Sequence, residues 1–194
     1  METKPTHEQA QLHLQIYEMR REARLRQARD WFFKNYFVDN LEDAMRIAAP
    51  GTETGAFAMK VFSYWEQACA LLNYGLLHED LFFETSGEFF GVWERIRPTI
   101  QQGRERFANQ QFLAHLEKAA NRYESWIETG SPGHIAAMRQ FTKREPATAG
   151  SVSRPWWRRF SKFAARRTLL GRISQGNENH FVLIEGTRSE EQPC

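Results

Sequence analysis

The stretch AMKVFSYWEQACALLNYGL, residues 58–76, decides the fold. Its apolar residues are Ala58, Val61, Phe62, Trp65, Ala68, Cys69, Leu72 and Leu76. They recur in steps of three, one or four, which is the spacing of one helix face. The stripe is wide, as a helix at the centre of a bundle requires. Gly75 lies where a glycine can end that helix.

The same period runs outward in both directions. Residues 7–37 read as one long helix or two in line. Leu12, Ile16, Met19 and Ala23 form a stripe, and Ala28, Trp31, Phe32 and Tyr36 continue it with a slip of phase. Asp39 or Asn40 is placed to cap a short helix over 41–48. Pro50, Gly51 and Gly55 mark a loop. A further helix starts near Glu79, with Phe82, Phe89, Trp93, Ile96 and Ile100 on one face and a kink expected at Pro98. Phe112, Leu116, Ala120, Tyr123 and Ile127 give another helix between about Arg104 and Thr129. Gly130-Ser131-Pro132-Gly133 stops it, and a short helix over 134–143 follows. The expected fold class is all-α: a bundle of four to six helices over residues 1–143.

Composition sets the outer limits. The chain has 194 residues, 26 Lys and Arg against 24 Asp and Glu, and a net charge of +2. Apolar residues make up 41% and aromatic residues 13%, with 15 Phe and 6 Trp. That is enough for a packed core, and it excludes a polytopic membrane protein and a fully disordered chain. Cys69 and Cys194 form no disulfide framework. Met1 to Ala10 is polar, so no secretory leader is expected. The best apolar run, Ala68 to Leu77, is half the length of a membrane span. The expected location is the bacterial cytoplasm, peripheral at the inner membrane face if the membrane is the target.

After Arg144 the chemistry changes. Residues 144–153 read as a flexible linker. Residues 154–172 hold seven basic residues and no acidic one. Pro155 suits the first position of a helix and Gly171 its end. On a helical wheel Trp156, Trp157, Phe160 and Phe163 gather on one side. Arg158, Arg159, Lys162 and Arg166 gather on another, with Arg167 intruding on the apolar face. A basic amphipathic helix is therefore expected over 154–173, followed by an acidic tail over 174–194. Three targets fit such a helix: a partner protein, an anionic membrane surface or a nucleic acid.

Residues 61–126 resemble the bacterial domain of unknown function 4760 family. An aromatic–acid pair, Trp65 and Glu66, sits on an apolar helix that breaks at Gly75. Leu76, Leu77, Glu79 and Asp80 then open the next helix, and Trp93 precedes an Arg and a Pro. The resemblance implies a compact helical domain and no particular activity. Members of that family often carry an N-terminal spanning segment, which does not carry over to this sequence. Within the matched stretch Glu66 is expected to pair with Arg95, Arg97 or Arg104.

Motifs for catalysis are missing from the sequence. No histidine follows a glutamate by three positions, so the di-iron pattern is absent. No two histidines are four apart, and there is no Gly-Lys, G-x-G-x-x-G or G-x-S-x-G. Asp80, Glu84 and Glu88 are four apart and read as a solvated acidic face. No cofactor or metal is expected, and the chain reads as a non-enzymatic interaction or scaffold protein. The contrasting enzyme reading places a polar site between helices around Glu66, Asn73, Arg95 and Arg104.

Overall fold

A computed structural model describes residues 4–142 of the chain. Within them, eight α-helices and no strand are found. They are α1 (His7–Arg20), α2 (Ala23–Asn35), α3 (Leu41–Ile47), α4 (Glu53–Asn73), α5 (Glu79–Thr85), α6 (Glu88–Arg106), α7 (Ala114–Gly130) and α8 (His134–Thr142). The linker, the basic helix and the acidic tail expected over 144–194 lie outside the described residues.

α4 is the central helix, as its pattern demands. It packs along α2 on one side and α7 on another, while α6 receives α3, α7 and α8. Val61, Trp65, Ala68, Cys69 and Leu72 are all buried. Full burial of each large apolar side chain contributes about 1.5–3 kcal/mol. Aromatic rings fill much of the interior. Phe32 stacks on Tyr36 at 4.8 Å between centroids, and Phe83 stacks on Phe89 at 6.0 Å.

Two breaks account for the excess over four to six helices. The apolar stripe read through residues 7–37 is divided at Arg21–Glu22. The slip of phase marks that break, and Met19 is left half exposed rather than buried. The helix expected from Glu79 is likewise divided at Ser86–Gly87, giving α5 and α6. α6 then runs through Pro98. Gly55 is a helical residue, not a loop marker. A Cβ at that position would stand 2.1 Å from the Ala49 carbonyl oxygen, so glycine allows the loop to close against α4.

Helix ends follow local chemistry where they can. Thr6 and Gln9 cap α1 reciprocally. Asn40 caps α3 through the Asp43 N–H at 2.9 Å. α4 ends in a left-handed Gly75 (φ +75°), with the Gly75 N–H on the Leu72 carbonyl and the Leu76 N–H on that of Leu71. That is the pattern in which a left-handed residue closes a helix.

Candidate functional site

Glu66 lies on α4, where the helix faces the start of α7. Its two carboxylate oxygens accept the His115 N–H at 3.0 Å and the Leu116 N–H at 2.8 Å. α7 has no side-chain cap of its own, because its N-cap position is Leu113. A helix start leaves its first amides unpaired and carries partial positive charge, and a carboxylate answers both. Glu66 is thus a cap supplied from another helix. The expected pairing with Arg95, Arg97 or Arg104 is not found, since backbone amides take the place of the guanidinium.

Asn73, two turns further along α4, extends the same seam. Its amide nitrogen donates to the His115 carbonyl at 3.0 Å, and its oxygen accepts from Arg122 at 3.0 Å. Arg122 continues to Glu79 on α5 at 3.1 Å. Arg104 reaches the same region from α6. It donates through Nε and Nη2 to the Phe112 carbonyl, at 3.0 and 2.9 Å, and pairs with Glu117 at 2.7 Å. Glu66, Asn73 and Arg104 therefore all serve the approach to α7.

Arg95 belongs elsewhere. It donates to the carbonyls of Phe32 and Phe33 at 3.0 Å each, and to that of Tyr36 at 3.4 Å, which closes the C-terminus of α2. The guanidinium also lies 4.2 Å from the Phe37 ring centroid. A cation at a helix C-terminus complements the dipole as an anion does at an N-terminus. Burial pushes the Arg95 pKa down to about 10, which leaves it charged at neutral pH.

One acidic residue that the sequence places on a solvated face is buried. Glu88 opens α6 and is 9% accessible. It accepts from Arg20 at 2.6 Å and from both Nε and Nη2 of Arg29, the former at 2.6 Å. Burial opposes the charge on Arg29, and the hydrogen bond and charge of Glu88 outweigh that, raising its pKa. The solvated face expected for Asp80, Glu84 and Glu88 does not exist as a unit. Asp80 accepts the Trp126 indole N–H at 2.9 Å, and only Glu84 is exposed. One signal was available: Glu88 is followed by Phe89 and Phe90, and an acid leading such a pair into the core needs partners.

Glu94 forms a second buried anion, gripped by Arg139 of α8 at 2.9 and 3.1 Å. Arg139 also reaches Glu124 at 3.0 Å and so ties α8 to α6 and α7. Among the described residues no three His, Cys, Asp or Glu side chains are grouped to hold a metal. Among the described residues, one surface hollow lies between α3 and α6 over Leu41, Met45 and Gln102, and another between α5 and α7 over Arg122 and Trp126. Glu66 lines neither. Of the polar groups in the enzyme reading, Glu66 and Arg95 satisfy helix ends, while Asn73 and Arg104 tie the start of α7 to its neighbours. The candidate contact residues Trp156, Trp157, Arg158, Arg159, Phe160, Lys162, Phe163, Arg166 and Arg167 lie outside the described residues.

A family model described as a domain of unknown function (DUF4760) matches residues 5–123. The matched stretch takes in α1 to α6 and the first part of α7, beginning well before the Trp65–Glu66 pair. No curated protein and no solved structure matches the chain.

Proposed function

This chain belongs to the DUF4760 family, and we propose that it is a non-enzymatic helical interaction protein. In this reading the bundle is a scaffold, and the segment 154–172 makes contact with a partner protein or an anionic membrane surface. The observation that carries the reading is the charge of that segment: seven basic residues, no acidic one and two adjacent tryptophans. Trp156, Trp157, Phe160 and Phe163 supply an apolar anchor. Arg158, Arg159, Lys162, Arg166 and Arg167 supply charge. Near an anionic lipid surface each basic residue contributes about 1 kcal/mol, and tryptophan favours the interface. The site of action is the cytoplasm, at the inner membrane face where lipid is the target.

The use of Glu66 and Arg95 at helix ends, and of Asn73 and Arg104 in joining α7 to α4 and α6, supports a scaffold over an enzyme. A catalytic acid or base needs an atom free to meet substrate, and both oxygens of Glu66 already carry backbone amides. No described helix is long and apolar enough to cross a membrane, so lipid contact by these helices would be peripheral.

Liposome flotation tests the reading, using the full chain and a version ending at Ala149, at low and physiological salt. Flotation with anionic but not neutral lipid, lost on truncation and weakened by salt, identifies a membrane surface. If neither version floats, cross-linking to partner proteins and a nucleic-acid shift assay follow, again comparing the two lengths. Binding of every kind that survives truncation unchanged overturns the proposal.

A further inference from the structure

The break between α1 and α2 is not made by a helix-breaking residue. Residues 18–27 read EMRREARLRQ, which contains neither glycine nor proline and consists of strong helix formers. Such a sequence favours one continuous helix over residues 7–35, about 43 Å long at 1.5 Å per residue. The structure instead sets Glu22 at φ −52°, ψ 135°, outside the helical region. Glu22 then caps α2 with its own carboxylate, through the Arg24 N–H at 2.8 Å and the Leu25 N–H at 2.7 Å.

Glu88 supplies the missing cause. Arg20 stands before the break and Arg29 after it, and both hold this one carboxylate. They are nine positions apart, so in an unbroken helix they would point about 180° from each other, about 13 Å apart along the axis. One carboxylate reaches both only if the helix is bent between them. Glu88 is a clamp on the bend.

The groove that α1 occupies is made by residues far along the chain. The Tyr64 hydroxyl donates to the Ile16 carbonyl at 2.9 Å. His13 meets Thr85 at 3.0 Å and the edge of the Phe82 ring. Gln9 reaches the Gly75 carbonyl at 3.4 Å, and the Arg20 guanidinium lies over Trp65 at 5.8 Å. Ile16 is the one buried residue of α1, while Leu14, Tyr17 and Met19 are half exposed or more. The seat is thus selective but apolar contact alone holds α1 weakly.

We propose that Arg21–Glu22 is a hinge, and that on straightening α1 leaves its own groove and docks in that of a second copy of this chain. The occupant follows from the helix geometry. Ile16, which faces the groove, and Leu25, which faces the core from α2, are also nine positions apart. In the straight helix these faces point in opposite directions. With α2 fixed on its own bundle, the docking face of α1 turns outward. Apart from the clamp itself, the side chains complementary to it are Tyr64, Trp65, Phe82 and Thr85, and a second copy presents the same set. Exchange of an identical element between protomers is a low-cost route to a dimer.

The full chain carrying Glu88→Gln tests this by light scattering after gel filtration. The expected result is a shift from 22.8 kDa toward twice that mass. Adding Ala23→Pro should abolish the shift. Ala23 is exposed, opens α2 and follows a residue already extended, so proline suits the bent form; in a continuous helix it would break the hydrogen-bond ladder. The exchange itself is read by mixing Cys194→Ser chains bearing either Gln9→Cys or Leu76→Cys in the Glu88→Gln background and adding a short bis-maleimide. A covalent dimer of one chain of each kind is expected. Should Glu88→Gln fail to fold by circular dichroism, Arg20→Gln, which removes one arm of the clamp, takes its place in every step. A folded clamp variant that stays at the monomer mass overturns the proposal. So does a dimer that ignores Ala23→Pro, or one that gives no cross-link between the two kinds of chain.

Discussion

The Glu66 carboxylate on α4 takes the Leu116 N–H of α7 at 2.8 Å, across fifty residues of sequence. The bond replaces a cap that α7 does not make for itself, and it joins the start of α7 to the central helix. Charge-assisted bonds of this kind are roughly twice as strong as neutral ones. Glu66→Ala should therefore destabilise the protein by about 1–2 kcal/mol, since two part-buried amides lose their acceptor. Glu66→Gln keeps one good acceptor and should cost about half as much. Urea unfolding of the three proteins checks this; equal losses for Ala and Gln would show that the charge and the cap contribute nothing separately.

The end of α6 offers a gain in stability. Ala108 adopts φ +49°, with its N–H on the Glu105 carbonyl and the Asn109 N–H on that of Arg104. These bonds match the ones that close α4 at Gly75. Alanine in the left-handed region costs about 1–2 kcal/mol, and glycine removes the strain while adding freedom to the unfolded chain. Ala108→Gly should raise stability by about 0.5–1 kcal/mol. Gly75→Ala should lower it by about 1 kcal/mol for the same reason. The two midpoints in one denaturant series give the comparison, and a loss from Ala108→Gly would refute the strain argument.

How far these features were legible depends on distance along the chain. α4 declared itself through its apolar stripe, and Asn40 and Gly75 marked ends by chemistry acting within three or four residues. The phase slip near Ala23 announced the bend, but the reason for it lies at Glu88. Glu66 and Arg95 look alike in sequence, as charges on apolar helices. Which one meets an amide and which a carbonyl depends on helix ends formed elsewhere. Spacing of four misled at Asp80, Glu84 and Glu88, because Ser86–Gly87 resets the helical phase between them.

Cys69 should behave as a core residue, not as a reactive thiol. It is fully buried on α4, and burial holds its pKa well above the ordinary thiol range. The thiolate is the reactive form, so neither access nor ionisation favours attack. In a Cys194→Ser chain, an aromatic disulfide reagent should leave Cys69 untouched under native conditions. Modification should rise in step with the unfolded fraction as denaturant is added. Rapid labelling of the native chain would show instead that α4 opens locally.

His13 makes stability depend on pH, with a sign that its hydrogen bonds determine. The Thr85 hydroxyl donates to the Leu81 carbonyl at 2.6 Å, so toward His13 Nε2, at 3.0 Å, it acts as acceptor. The imidazole donates from Nε2, and its Nδ1 is buried without a hydrogen-bond partner. Adding a proton there would bury an N–H with no acceptor, and burial lowers the pKa from its usual 6.5. Below that value the unfolded chain takes up a proton that the folded chain resists. Stability from this residue is therefore complete above pH 6.5 and declines as pH falls through the lowered folded value. His13→Leu keeps the apolar contact with Phe82 and removes the titration. The stability difference between wild type and His13→Leu, followed by urea unfolding from neutral pH down to about pH 5, should move in favour of the variant. A difference that stays constant over that range would mean that the folded chain accepts the proton as readily as the unfolded one.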